Sequence, residues 1–133
     1  MPSKRDPIQS LDAAKRRLSE RSAVLRADIQ RELRKYDADR YGVVADRVGD
    51  AGDGSVADML MHVDLSEIQR DVAELRDIDA AFARIAAGTY GICVDCGEPI
   101  DPARLEQLPQ AKRDVECQRR HEEQYRSDRT PSL

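Results

Sequence analysis

Tryptophan is absent from this 133-residue chain, phenylalanine occurs once, at Phe82, and four tyrosines are the only other aromatics. So few large rings cannot fill a thick globular core, whereas charged residues, at 36 % of the chain, suit long solvated helices. Cysteine is scarce and odd in number, with Cys93, Cys96 and Cys117 alone. That excludes a framework of paired disulfides and points to a reducing compartment with metal or thiol chemistry. Histidine appears only at His62 and His121, and neither a nucleophile elbow nor a phosphate-cradling glycine loop is present, which argues against an enzyme. No apolar run approaches the length of a membrane span, and Met1 to Asp6 has no apolar stretch behind it that would read as a signal peptide. A cytoplasmic protein is expected. The net charge of −4, with basic residues interleaved among acids, disfavours a phosphate backbone as the principal partner.

The three cysteines carry the most specific signal. Cys93-Val94-Asp95-Cys96 follows a glycine-rich turn, and Asp114-Val115-Glu116-Cys117 answers it on an expected helix. This is the layout of a structural zinc site with Asp114 where a fourth cysteine would stand. Asp114 and Cys117, three residues apart, share a helix face, and carboxylate oxygen is an acceptable zinc ligand. His121, four residues beyond Cys117, is the alternative fourth ligand. The bland reading is a degenerate finger that packs without metal and leaves ordinary thiols.

Upstream, the periodicity predicts two long helices. A stripe runs through Leu11, Ala14, Leu18, Ser22, Leu25, Ile29, Leu33 and Tyr36, and a second through Met61, Leu65, Ile68, Val72, Leu75, Ile78, Phe82 and Ile85. Between them, residues 48–55 hold three glycines in six residues, enough to stop a helix and allow a turn. Ser55 to Asp58 reads as a weak capping box for the second helix. The expected architecture is mainly α: a long antiparallel coiled-coil hairpin over 1–88, each arm on the order of 50 Å, with an acidic tip at 48–55. A small zinc-finger-like knob and C-terminal helix follow over 89–128, then a frayed tail over 129–133. Gly88 is the expected left-handed cap of the second helix.

The run Gly88-Thr89-Tyr90-Gly91-Ile92-Cys93-Val94-Asp95-Cys96-Gly97-Glu98-Pro99-Ile100, with Ala103-Arg104-Leu105, Pro109 and Cys117-Gln118-Arg119-Arg120-His121, resembles the DksA/TraR family of bacterial transcription regulators. Keeping Pro109 in register sets Asp114 on the family's third cysteine and Cys117 on its fourth. The resemblance implies a coiled-coil arm inserted into the secondary channel of RNA polymerase. It also implies two tip carboxylates three residues apart, here Asp50 and Asp53, that act near the polymerase active centre without catalysing anything. An exposed negative tip on a stalk suits a site built around bound Mg²⁺ and basic side chains. Three positions that carry cations in members responsive to the alarmone ppGpp fall on Asp77, Leu108 and Gln118, so weak ppGpp synergy is expected. The implied protein is a monomer that needs no sequence-specific DNA contact and no membrane. Two rivals stand beside it: a thiol-based redox sensor using Cys93 and Cys96, and a coiled-coil structural adaptor.

Overall fold

The computed structural model describes residues 7–50 and 56–129. Five helices follow one another: α1 (Pro7–Asp50), α2 (Val56–Met59), α3 (Ser66–Ala87), α4 (Pro102–Gln107) and α5 (Val115–Arg129). Among the described residues, extended pairing is confined to one antiparallel bridge, Ile92 with Pro99. No helix among them is long and apolar enough to cross a membrane.

The two stripes meet as expected over most of their length. Ala14, Leu18, Leu25, Ile29 and Leu33 of α1 and Ile68, Val72, Leu75, Ile78 and Ala81 of α3 are buried, with Phe82 and Ile85 half-buried against them. Each large side chain buried in this seam contributes roughly 1.5–3 kcal/mol relative to exposure. The chelated pair Arg21 and Glu74, at 2.5 and 2.9 Å, bridges the antiparallel helices on the outside.

The distal end departs from the simple hairpin. α1 does not run straight to the glycine-rich segment, because Asp37 is non-helical (φ −162°, ψ 96°) and the chain reverses there. Asp37 then caps the following turn, its Oδ1 accepting from the Arg40 amide at 3.0 Å. Residues 38–50 run back along α1. Gln30 Nε2 donates to Ala45 O at 2.8 Å, Arg34 pairs with Asp46, and Gly49 lies against the Gln30 side chain. In a straight helix residues 30 and 45 would be about 22 Å apart. Ala45 and Val48 enter the core through this return.

The second helix also begins later than the sequence suggests. α2 is a single turn whose Val56 and Ala57 are buried, and Leu60 and Val63 follow them inward. α3 opens only at Ser66, after an extended Leu65. Gln69 stitches the intervening turn, donating from Nε2 to Leu60 O at 3.2 Å and to Val63 O. Tyr36 and Met61, assigned to the seam by periodicity, are 64 % and 58 % exposed at this blunted end. Ser55, the expected cap, lies outside the described residues, as does the tail beyond Arg129.

α3 ends as predicted. Gly88 takes φ +77°, and Thr89 N donates back to Arg84 O at 2.9 Å. The knob has its own small core of Cys93, Ile100 and Cys117 with Leu105 packed on it, separate from the core of the arm. Its joint to the arm is polar. Tyr90 donates to Pro109 O at 2.8 Å, Gln110 Nε2 donates to Glu74 at 3.3 Å, and Lys112 faces Asp77 at 3.7 Å.

Candidate metal centre

Two short stretches of backbone build the site. The first is the turn from Gly91 to Ile100, closed by Cys93 N to Glu98 O (2.8 Å), Gly97 N to Cys93 O (3.0 Å) and Ile100 N to Gly91 O (2.7 Å). Gly91 and Gly97 both take positive φ there, a conformation that L side chains rarely adopt. This turn projects Cys93 inward and leaves Cys96 exposed beside it. The second stretch is the start of α5, where Asp114 precedes the helix and Cys117 completes its first turn. Val94 N, bonded to Lys112 O at 2.9 Å, and Arg113 Nε, at 2.8 Å from Asp95 Oδ2, hold the two stretches together.

The three sulfurs and one Asp114 oxygen lie within 4.8 Å of one another. Tetrahedral zinc with bonds near 2.3 Å sets its donors roughly 3.8 Å apart, so the group needs only a small contraction to close on an ion. The donor chemistry fits as well, since three soft sulfurs and a carboxylate are all zinc ligands. Cys93, Cys96, Cys117 and Asp114 are therefore positioned to hold a metal ion. His121 is not in that group; its ring stacks on Tyr125, with centroids 6.5 Å apart.

Local fields sort the thiols. Burial pushes Cys93 up, but backbone amides of Cys96, Asp114 and Asp95 donate to it and bring its pKa down to about 7. The Glu98 amide pulls Cys96 down, and the Asp114 carboxylate, accepting from its thiol at 3.1 Å, with desolvation carries it above the ordinary value. Burial, then Asp114, raise Cys117 to about 12. Asp114 itself is held below the usual carboxylate range, chiefly by the Cys117 amide at 2.8 Å.

The other expected site residues are dispersed. Asp50 is exposed at the end of the returning segment, and Asp53 lies outside the described residues. Asp77, Leu108 and Gln118 come together in one cleft of about 740 Å³ between α3, the 108–113 loop and α5. The same cleft gathers the cations Arg104, Lys112, Arg113 and Arg119, of which Arg119 belongs to the basic run 118–121 that reads from the sequence as a solvated helix face or a contact for the polymerase rim. Arg120 of the same run turns instead toward the finger, its guanidinium 3.6 Å from Cys117 Sγ, a contact the sequence reading did not include. The i, i+3 spacing from Cys117 to Arg120 was the available signal.

Residues 88–123, which contain all four candidate ligands, match the prokaryotic dksA/traR C4-type zinc finger. The chain is 36 % identical over 93 residues to the RNA polymerase-binding transcription factor DksA of Caulobacter vibrioides, covering 70 % of this chain and 61 % of that protein. It is 33 % identical over 73 residues to general stress protein 16O of Bacillus subtilis, covering 55 % of this chain and 44 % of that one. The chain thus spans about three fifths or less of the length of these two curated relatives. Among solved structures, transcription factor DksA2 from Pseudomonas aeruginosa superposes with a TM-score of 0.62 at 26 % identity, over 95 % of this chain and 92 % of that one. Arm and finger are thus matched together as well as the finger alone: residues 88–123 form a zinc finger of the prokaryotic dksA/traR C4 type in which Asp114 completes the group of three cysteines, and the chain as a whole is similar to DksA2.

Proposed function

We propose that this protein is a transcription factor that binds RNA polymerase through the secondary channel and modulates initiation, with no catalytic activity of its own. The observation that carries the reading is the likeness to DksA2 across arm and finger together, 95 % of this chain and 92 % of that one. A finger alone could serve many proteins; a finger fixed at a set angle to a long arm is a docking tool. The joint supports this use. Glu74 binds both Arg21 of the arm and Gln110 of the finger, and Tyr90 reaches Pro109, so the two parts move as one. The protein acts in the cytoplasm, as a monomer, without sequence-specific DNA contact.

In this reading Asp50 and Asp53 are the acids that act near the polymerase active centre. Gly49 packs against Gln30, so the neighbouring Asp50 sits roughly two helical turns short of Tyr36 along the arm. The polymerase would then receive a blunt, three-segment end rather than a thin hairpin. The test is a pull-down with purified RNA polymerase, run beside transcription assays on wild type and on Asp50→Asn/Asp53→Asn. The double variant should bind within about twofold of wild type and lose its effect on transcription, since removing exposed charges leaves the docking surfaces intact. Normal regulation by the variant would sink the role of the two acids. Absence of polymerase binding by wild type would sink the whole reading.

A further inference from the structure

The two oxygens of Asp114 have different partners. Oδ1 accepts the Cys117 amide at 2.8 Å, the N-cap contact for the first turn of α5. Oδ2 lies 3.1 Å from Cys96 Sγ, and one oxygen of this carboxylate lies within 4.8 Å of all three sulfurs. We propose that Asp114 is a bifunctional residue: through Oδ2 it is the fourth, single-oxygen donor to zinc, while Oδ1 stays on the Cys117 amide and starts the helix that carries Cys117. The proposal rests on the zinc reading of the finger and goes beyond it by giving Asp114 one metal-binding oxygen and tying its other oxygen to helix capping.

Three arguments support the assignment. A carboxylate with one oxygen committed to a backbone amide offers the ion one donor atom, which keeps the site four-coordinate as structural zinc requires. The capped geometry also fixes the spacing of two ligands at once, because Asp114 and Cys117 are joined by the same hydrogen bond that begins the helix. Finally, three thiolates and a carboxylate leave a zinc site net negative, and the Arg120 guanidinium 3.6 Å from Cys117 Sγ offsets part of that charge. A carboxylate donor is harder than a fourth thiolate. The site should therefore favour soft Cd²⁺ over Zn²⁺ less than a four-thiolate finger does.

The test uses the full chain, wild type and three variants, loaded with Co²⁺ or ¹¹³Cd²⁺ and also stripped of metal. With Asp114→Cys, thiolate-to-cobalt charge-transfer absorbance per bound ion should rise by about one third, as three sulfurs become four. The cadmium resonance should move downfield, and the preference for Cd²⁺ over Zn²⁺ should increase. Asparagine caps as well as aspartate but is a poor zinc ligand, so Asp114→Asn should weaken metal binding at least about tenfold. In the metal-free chain it should leave protection of the Cys117 amide from exchange near wild type. Asp114→Ala should lose both, with protection of that amide falling about fivefold. Unchanged cobalt absorbance in Asp114→Cys, or full metal affinity in Asp114→Ala, would overturn the donor role. Equal loss of amide protection in Asp114→Asn and Asp114→Ala would overturn the cap role. Failure of wild type and Asp114→Cys alike to bind any of these ions would overturn the zinc reading itself, a result distinct from either.

Discussion

At the scale of single residues, the finger separates the two properties that make a cysteine reactive. Attack requires a thiolate and requires access. Cys93, near about 7, has the thiolate but is only 2 % exposed, while Cys96 is accessible and holds its proton against Asp114. Cys117 is both buried and raised to about 12. No one sulfur combines both properties, which weighs against the redox-sensor reading. Metal-free protein at pH 7 should accordingly alkylate slowly at all three positions. Asp114→Asn should speed alkylation of Cys96 by removing the carboxylate that keeps its proton on, a change readable by mass spectrometry of the labelled chain. A Cys96 rate that falls or stays fixed would contradict that role of the carboxylate. The pH dependence of the cap has the opposite sense. Asp114 has a lowered folded pKa, so its stabilising contact is fully present above the ordinary carboxylate pKa of about 3.9 and is lost as pH falls through the lower folded value. Acidification from pH 7 should therefore release metal by protonating thiolates before the cap is lost.

At the scale of elements, periodicity located what packs and missed where the chain turns. Leu18, Leu25, Ile29 and Leu33, with Ile68, Val72, Leu75 and Ile78, were legible because their three- and four-residue steps fit one helical face each. The reversal at Asp37 was not, since Asp37-Ala38-Asp39-Arg40 contains no glycine or proline and reads as a solvated helix surface. Its trace is a phase change. Continuing the first stripe past Tyr36 lands on Arg40 and Arg47, whereas the residues that go inward are Ala45 and Val48. The same kind of slip marks the delayed start of α3, where Leu60 and Val63 are inside and Met61 is out. The stripes are spent on one another within a single chain, which among the described residues leaves no long apolar seam for a coiled-coil adaptor to share with a partner. Asp37→Ala should remove the cap of the returning segment, costing about 1 kcal/mol and raising amide exchange over residues 38–50 while the proximal α1–α3 seam is untouched. Exchange that rises equally along the whole arm would show that the return is not a separate unit. Gly49→Ala should push the Gln30 side chain off Ala45 O, with a comparable loss of about 0.5–1.5 kcal/mol in the same segment.

At the scale of the whole molecule, two cores of unequal size share one chain, with a cleft at their junction. The core of the finger is four residues, two of them candidate metal ligands, whereas the arm buries a continuous seam. Chelation should thus loosen the 93–97 turn, seen as faster exchange of the Cys93, Val94 and Gly97 amides, while helicity of the arm survives. Simultaneous loss of arm helicity would mean that the cores are coupled. The cleft at their junction brings together Asp77, Leu108 and Gln118, the positions where the family resemblance implies cations in ppGpp-responsive members. Its remaining cations have partners already. Lys112 faces Asp77, Arg113 faces Asp95, Arg119 faces Glu116, and Arg104 donates to Arg113 O. A multiply charged anion entering there would have to displace these contacts and would meet the Asp77 carboxylate. Each charge-assisted hydrogen bond it fails to make forgoes roughly 1.5–3 kcal/mol, so two or three absent cations correspond to several orders of magnitude in affinity. The protein should therefore act on RNA polymerase with little ppGpp synergy. Asp77→Lys should raise that synergy, because it reverses the repelling charge and frees Lys112 in one step. The measurement is transcription with polymerase lacking its other ppGpp site, titrated with ppGpp in the presence of each protein. Strong synergy with wild type, or no gain with Asp77→Lys, would show that the charge of this cleft does not set the response.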